Sequence, residues 1–148
     1  MARPKTNLSE SRLARSLVER GLVLGDTIEQ IFQACSASGG LLTEALVEEG
    51  LMTDWELSRI ASEVFNLPFI PVEVHKPTEQ ALEGLDREFL KRWCIVPLVR
   101  NGDLLTVAIP AAISPQTYDE LAAMSGGELA IVVGSVLSNR IWLRENLS

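Results

Sequence analysis

A glycine-centred pattern of seven residues occurs twice in the first half of the chain, as LVERGLV at residues 17–23 and as LVEEGLM at residues 46–52. Glycine readily adopts the positive φ that a tight exit from a helix requires. The repeat therefore predicts two helical hairpins, each with a helix, a glycine corner, a packed apolar pair and a second helix. Apolar residues downstream keep the same offset: Ile28 with Leu57, Ile31 with Ile60, and Cys35 with Val64.

Capping signals set the limits of the helices in these hairpins. Asp26 is the predicted N-cap of the second helix. Thr53 and Glu56 have capping-box spacing at the start of the fourth helix, and Asn66 is expected to end it. Three prolines then favour an extended connector over residues 67–77. The four helices are predicted for residues 9–20, 27–37, 41–49 and 54–65.

The hydrophobic period changes in the second half of the chain. An Asn-Gly turn joins two apolar segments, which is a specific hairpin signal. Helices and strands then alternate in the order α-β-β-α-β-α, which predicts a small three-stranded sheet covered by helices. The predicted fold class is α+β, with a helical subdomain of two hairpins (1–66), the connector (67–77) and an α/β subdomain (78–148). Its helices are predicted for residues 77–85, 86–93, 115–127 and 135–146, and its strands for 94–100, 104–110 and 128–134.

Composition and charge exclude several classes of function. The net charge is −7, and residues 41–73 carry one Lys or Arg against seven Asp or Glu, which is a poor surface for nucleic acids. No glycine precedes a lysine, so a Walker A loop is absent from the sequence. His75 is the only histidine, and Cys35 and Cys94 lack metal-site spacing. We therefore expect a non-enzyme without a metal or resident cofactor, and a cytoplasmic protein because no apolar run is long enough to span a membrane.

One predicted helix concentrates basic residues, namely Arg87, Lys91 and Arg92. Arg87 and Lys91 are four residues apart and so share a helix face. These residues are candidates for binding an acidic partner. The alternative is that they form the ordinary polar face of an amphipathic helix.

Over residues 10–147 the chain resembles the N-terminal domain of type II secretion and type IV pilus assembly ATPases. The resemblance rests on the paired Leu-rich repeats, on LPFIPV, and above all on LDREFLKRW followed by CIVPLVRNGDLLTVAIP. It implies a docking and regulatory domain that binds the cytoplasmic domain of an inner-membrane platform protein. It also implies a hexameric ATPase core as a second partner, if the chain is part of a longer protein. A free-standing adaptor is the remaining alternative.

The resemblance also implies a candidate nucleotide site, because some members bind cyclic di-GMP through two copies of a motif similar to Arg-Leu-Gly-x-x-Leu-x-x-x-Gly-Leu-Leu. A cyclic di-GMP sensor is therefore the alternative function, with the dinucleotide as the only candidate cofactor. The implied binding positions are Arg12, Leu13, Leu17, Gly21 and Leu22 in the first copy, and Gly50 and Leu51 in the second.

The sequence departs from that motif at positions that would contact a ligand. Ala14 and Thr43 replace the motif glycine, and Leu41 replaces the second arginine, whose planar guanidinium suits a phosphate or guanine edge. Cys35 and Val64 replace the glutamine that usually ends each copy. The second copy also carries three carboxylates that oppose a dianionic ligand, on Glu44, Glu48 and Glu49.

Overall fold

A computed structural model describes residues 8–147, and these contain seven α-helices, one short 3-10 helix and a three-stranded sheet. This is the α+β class that the sequence predicts, with the elements in the predicted order. The helix predicted for residues 77–85 is wrong in type, because only the 3-10 helix Glu79–Leu82 forms there. The helices are α1 Glu10–Glu19, α2 Gly25–Ser38, α3 Leu42–Glu48, α4 Asp54–Phe65, α5 Arg87–Trp93, α6 Pro115–Ser125 and α7 Val136–Leu147; the strands are β1 Val96–Asn101, β2 Leu104–Pro110 and β3 Glu128–Gly134.

The helix ends show which capping predictions hold. The Thr53 hydroxyl accepts the Glu56 N–H at 3.1 Å, and the Glu56 carboxylate accepts the Thr53 N–H at 3.2 Å, so the capping box of α4 is confirmed. Asn66 ends α4 in the left-handed conformation, also as predicted. Asp26 is not an N-cap: α2 begins at Gly25 after Leu24, and Asp26 lies in the first turn. There its carboxylate still favours the positive end of the helix dipole.

The sheet has the order β1-β2-β3 and positions the last helix of the chain. β1 and β2 form the predicted antiparallel hairpin, and β3 runs parallel to β2 after the crossover through α6. The connector adds a short segment to the outer edge of β3. The Ile70 N–H donates to the Val133 carbonyl at 2.8 Å, and the Val133 N–H donates to the Pro68 carbonyl at 2.7 Å.

The apolar core consists of two clusters, each of which takes residues from both sides of the connector. One surrounds the sheet and also includes Leu8 and Leu41. The other lies among α1–α4 and also includes Val133 and Val136. The half-buried Phe65 packs against both clusters. Apolar packing is therefore continuous between the helical hairpins and the sheet.

Two polar contacts fix α7 against the helical hairpins. At the start of α7, the Asp54 carboxylate accepts the Val136 N–H at 2.8 Å and the Ser135 hydroxyl. One turn further on, Arg140 donates from Nε and Nη2 to the Glu44 carboxylate at 2.8 and 2.9 Å. Arg140 Nη1 also donates to the Lys91 carbonyl at 2.6 Å. α7 is thereby joined to α3, α4 and α5.

Candidate functional site

The corners of the two hairpins have the same backbone geometry. Both corner glycines have φ of +73°. In each corner the residue after the glycine donates its N–H to a carbonyl five residues earlier, Leu22 to Leu17 at 3.0 Å and Leu51 to Leu46 at 3.1 Å. This is the hydrogen bond of a Schellman motif, which satisfies a carbonyl at the end of the helix. The repeated sequence thus encodes a repeated helix-ending structure.

Only one residue of the apolar pair after each glycine is buried, so the prediction that both residues of the pair pack in the core is wrong. Val23 and Met52 are buried, whereas Leu22 and Leu51 are 46% and 37% exposed. The backbone bends at both residues of each pair, and only the second residue turns towards the core. Leu22 and Leu51, both expected at the nucleotide site, therefore present apolar surface to solvent.

A substitution at a corner glycine should be costly even where space is available. No atom lies within 4 Å of a Cβ built on Gly21, Gly50 or Gly25, but only Gly21 and Gly50 have positive φ. We expect Gly50→Ala to lower the free energy of unfolding by about 1–2 kcal/mol, because the left-handed conformation is strained for alanine. Gly25→Ala in α2 is the matched control and should be neutral or stabilising. Urea denaturation measures both, and equal effects would contradict the explanation by backbone strain.

Two leucines of the first motif copy lie in the apolar core. Leu13 and Leu17 in the first copy are fully buried and belong to the cluster among α1–α4. Ala14 and Thr43, which replace the motif glycine, are buried as well. Among residues 8–147 the Thr43 hydroxyl has no hydrogen-bond partner. The backbone at these positions is therefore covered by the hairpins' own packing.

Arg12 and its counterpart Leu41 have different environments. The Arg12 guanidinium lies 5.6 Å from the centre of the Phe65 ring, which is a cation–π distance. Leu41 is buried in the sheet cluster. Only the first copy of the repeat thus retains a basic side chain at the arginine position.

A groove of about 230 Å³ lies between α2 and α3, beside the second copy of the motif. Its lining includes Glu44, Glu48, Glu49 and the half-buried Cys35. The pKa of the Cys35 thiol is raised by burial first, and then by the charges of Glu10, Glu49 and Glu48. The same negative potential would oppose a phosphate group in this groove.

The three basic residues of α5 make different contacts from one another. Lys91 forms an ion pair with Glu88 at 2.8 Å, and Arg92 lies 4.5 Å above the Trp93 ring and donates to the Gly39 carbonyl. Arg87 is exposed and lines a larger groove beside α7. Of the three predicted partner-binding residues, Arg87 therefore lines this groove.

The sequence reading missed an apolar stripe on α7. Leu137 and Ile141 are 47% and 49% exposed, and they are neighbours at i and i+4 on one helix face. The opposite face of α7 is buried through Val136, Asn139 and Leu143. The sequence does contain a signal for this stripe, because apolar residues occupy more positions of α7 than one buried face requires.

The side chains that most often bind metal ions do not cluster in the described part of the chain. Within residues 8–147 no group of three or more His, Cys, Asp or Glu side chains could hold a metal ion. His75 is exposed in the connector, with Nδ1 at 3.3 Å from the Lys76 carbonyl oxygen. Across the same residues, none of the helices is both long and apolar enough to cross a membrane.

The arrangement of two helical hairpins and a three-stranded α/β unit is also found in solved structures of other proteins. The N-terminal domain of XpsE has a TM-score of 0.71 at 22% identity, with 97% of each chain covered. A second crystal form of that domain has a TM-score of 0.61 at 23% identity, covering 97% of this chain and 98% of that one. The structure of MshE with cyclic di-GMP has a TM-score of 0.65 at 20% identity, covering 90% of this chain and 96% of that one. The predicted fold is thereby confirmed.

The family follows from the sequence itself. A family model described as the MshEN domain matches residues 65–139, slightly more than half of the chain. The chain belongs to the MshEN domain family, which confirms the resemblance to the N-terminal domains of type II secretion and type IV pilus assembly ATPases. No curated protein matches the sequence.

Proposed function

We propose that this chain is a non-catalytic docking and regulatory domain of a secretion or pilus assembly ATPase, and that it binds the cytoplasmic domain of an inner-membrane platform protein. In this proposal the chain is cytoplasmic and reaches the membrane only through that partner. An ATPase core would be its second partner, if the chain is part of a longer protein. Membership of the MshEN family and the fold of the XpsE N-terminal domain support the proposal.

One observation carries the proposal: two leucines of the tandem motif pack in the core, while an apolar stripe on α7 remains exposed. Leu13 and Leu17 are fully buried, whereas Leu137 and Ile141 are about half exposed. An interface is formed by exposed apolar and aromatic surface with polar residues around it. The surface is therefore better suited to a protein partner than to a small ligand in the repeats.

The test is to mix this chain with the cytoplasmic domain of the cognate platform protein and to follow the complex by size-exclusion chromatography and calorimetry. We expect a saturable complex of defined stoichiometry. No complex at concentrations of about 100 µM, where an interface of roughly −5 kcal/mol would be half occupied, would contradict the proposal. An unrelated acidic domain of similar size controls for non-specific association.

Cyclic di-GMP binding is the second candidate function, because Arg12 is retained and MshE has been solved with that ligand. The groove beside the second copy argues against it, since Glu48 and Glu49 are exposed there and Leu41 replaces the arginine. We expect no saturable heat in calorimetry with the dinucleotide. Binding that Arg12→Ala removes and Arg15→Ala on the same helix leaves unchanged would instead establish a sensor.

A further inference from the structure

A two-part groove lies beside α7, and Ile141 of the exposed apolar stripe lines its smaller part. Its smaller part, of about 350 Å³, lies between the connector and α7 and includes Val72, Ile141 and Trp142. Its larger part, of about 820 Å³, continues between the 3-10 helix and the end of α7 and includes Leu82 and Arg87. Both parts are lined by Lys76, Trp142 and Asn146, so they adjoin each other at these residues. We call the two parts together the α7 groove.

Contacts within the protein fix the two walls of the α7 groove. The Glu73 carboxylate of the connector accepts the Ser138 hydroxyl of α7 at 2.5 Å. The Thr78 N–H donates to the Leu98 carbonyl of β1 at 3.0 Å, which ties the 3-10 helix region to the sheet. The groove is thus formed by elements that are already held in place. Preformed grooves bind with less loss of conformational entropy than surfaces that must be ordered.

The charges around the α7 groove favour a basic partner. Carboxylates of Glu79, Glu83 and Glu145 line it, and Glu73 closes one wall. Two cationic side chains, Lys76 and Arg87, oppose these four carboxylates. A segment that carries Lys or Arg along its edges would therefore meet a complementary rim.

The shape of the apolar surface favours a helix as the occupant. Leu137 and Ile141 form a short ridge at i and i+4. A second helix can pack against such a ridge with its own apolar residues spaced three and four apart. Trp142, half-buried at the base of the groove, supplies the large aromatic surface that often anchors an interface.

We propose that the α7 groove is the docking surface for an amphipathic, basic helix of the platform protein's cytoplasmic domain. This inference rests on the proposed function and adds the docking face and the chemistry of the partner segment. Leu137 and Ile141 contact the apolar face of that helix, and the carboxylate rim contacts its basic edges. Arg87 pairs with an acidic residue of the same helix.

The test compares two double variants in the platform-domain titration. Leu137→Ser with Ile141→Ser removes the apolar ridge, and we expect about a 10- to 100-fold loss of affinity, as for truncated interface anchors. Leu24→Ser with Leu104→Ser is the matched control, because these leucines are also exposed, at 76% and 40%. The control should bind like the wild type. Equal binding by all three proteins, or an equal loss in both double variants, would overturn the inference.

A second measurement does not depend on the variants. In the wild-type chain, amide shifts on addition of the platform domain should cluster in residues 72–83 and 137–146, and shifts confined to α1–α3 would overturn the inference. If the wild type does not bind at all, the proposed function fails, and not only the docking face. A dimer of the free chain that the Leu137→Ser, Ile141→Ser variant abolishes would assign the groove to a second copy and would also overturn the inference.

Discussion

Asp54→Ala is expected to lower the free energy of unfolding by about 2–4 kcal/mol, although the residue has no part in a binding surface. The side chain is 7% exposed, and its two oxygens accept the Val136 N–H and the Ser135 hydroxyl. Alanine would leave both donors buried without their acceptor, and each such group costs about 1–3 kcal/mol. The carboxylate also lies at the positive end of α7, where a negative charge is favourable.

Urea denaturation with an unchanged m-value measures this effect, and hydrogen exchange at the Val136 amide reports the local change. Asp26→Ala is the matched control, because Asp26 is an exposed aspartate in the first turn of α2. It should cost less than about 1 kcal/mol. Asp54→Asn, which keeps one acceptor oxygen, should fall between the two. An Asp54→Ala effect no larger than that of Asp26→Ala would show that α7 does not depend on this cap.

The contacts of Asp54 show which features of this fold cannot be predicted from the sequence. The corner glycines, the capping box and the β1–β2 turn depend on residues within a few positions of one another, and the sequence predicts them. Asp54 and Ser135 are 81 positions apart, and Glu44 and Arg140 are 96 apart. No local pattern pairs such residues, because only the tertiary fold brings them together. The attachment of α7 to the helical hairpins was therefore not predictable.

The candidate site was likewise predictable from the sequence only in part. Periodicity predicted that the repeat leucines pack, and Leu13 and Leu17 are indeed buried. It did not predict which residue of each apolar pair faces solvent, because the direction of a side chain after a corner depends on the path of the backbone. The exposure of Leu137 and Ile141 depends on which face of α7 the sheet covers, and hydrophobicity alone does not distinguish an exposed stripe from a buried one.

Alkaline pH is expected to destabilise this protein through Cys94 in particular. Cys94 ends α5 in the left-handed conformation and is fully buried. Burial raises the pKa of its thiol from 9.0 to about 12, with smaller increases from Glu44 and Asp54 and a decrease from Arg140. Below pH 9 the thiol is protonated in both states and the shift has no effect on stability. Between pH 9 and 12 only the unfolded chain loses this proton, so the free energy of unfolding falls by about 1.4 kcal/mol per pH unit.

Unfolding in urea at pH 8 and pH 11 under reducing conditions measures this loss. Over the two units above pH 9, the Cys94 thiol should account for about 3 kcal/mol of it. Cys94→Ala removes the ionisable group and should lose correspondingly less stability between the two pH values, whatever its stability at pH 8. Cys35→Ala is the control and should keep most of the wild-type loss, because Cys35 is only half-buried. The other ionisable groups are the same in Cys94→Ala and in the wild type, so they cancel in that comparison. The same pH dependence in Cys94→Ala and the wild type would mean that the Cys94 thiolate is accommodated in the folded state, through local opening at the end of α5.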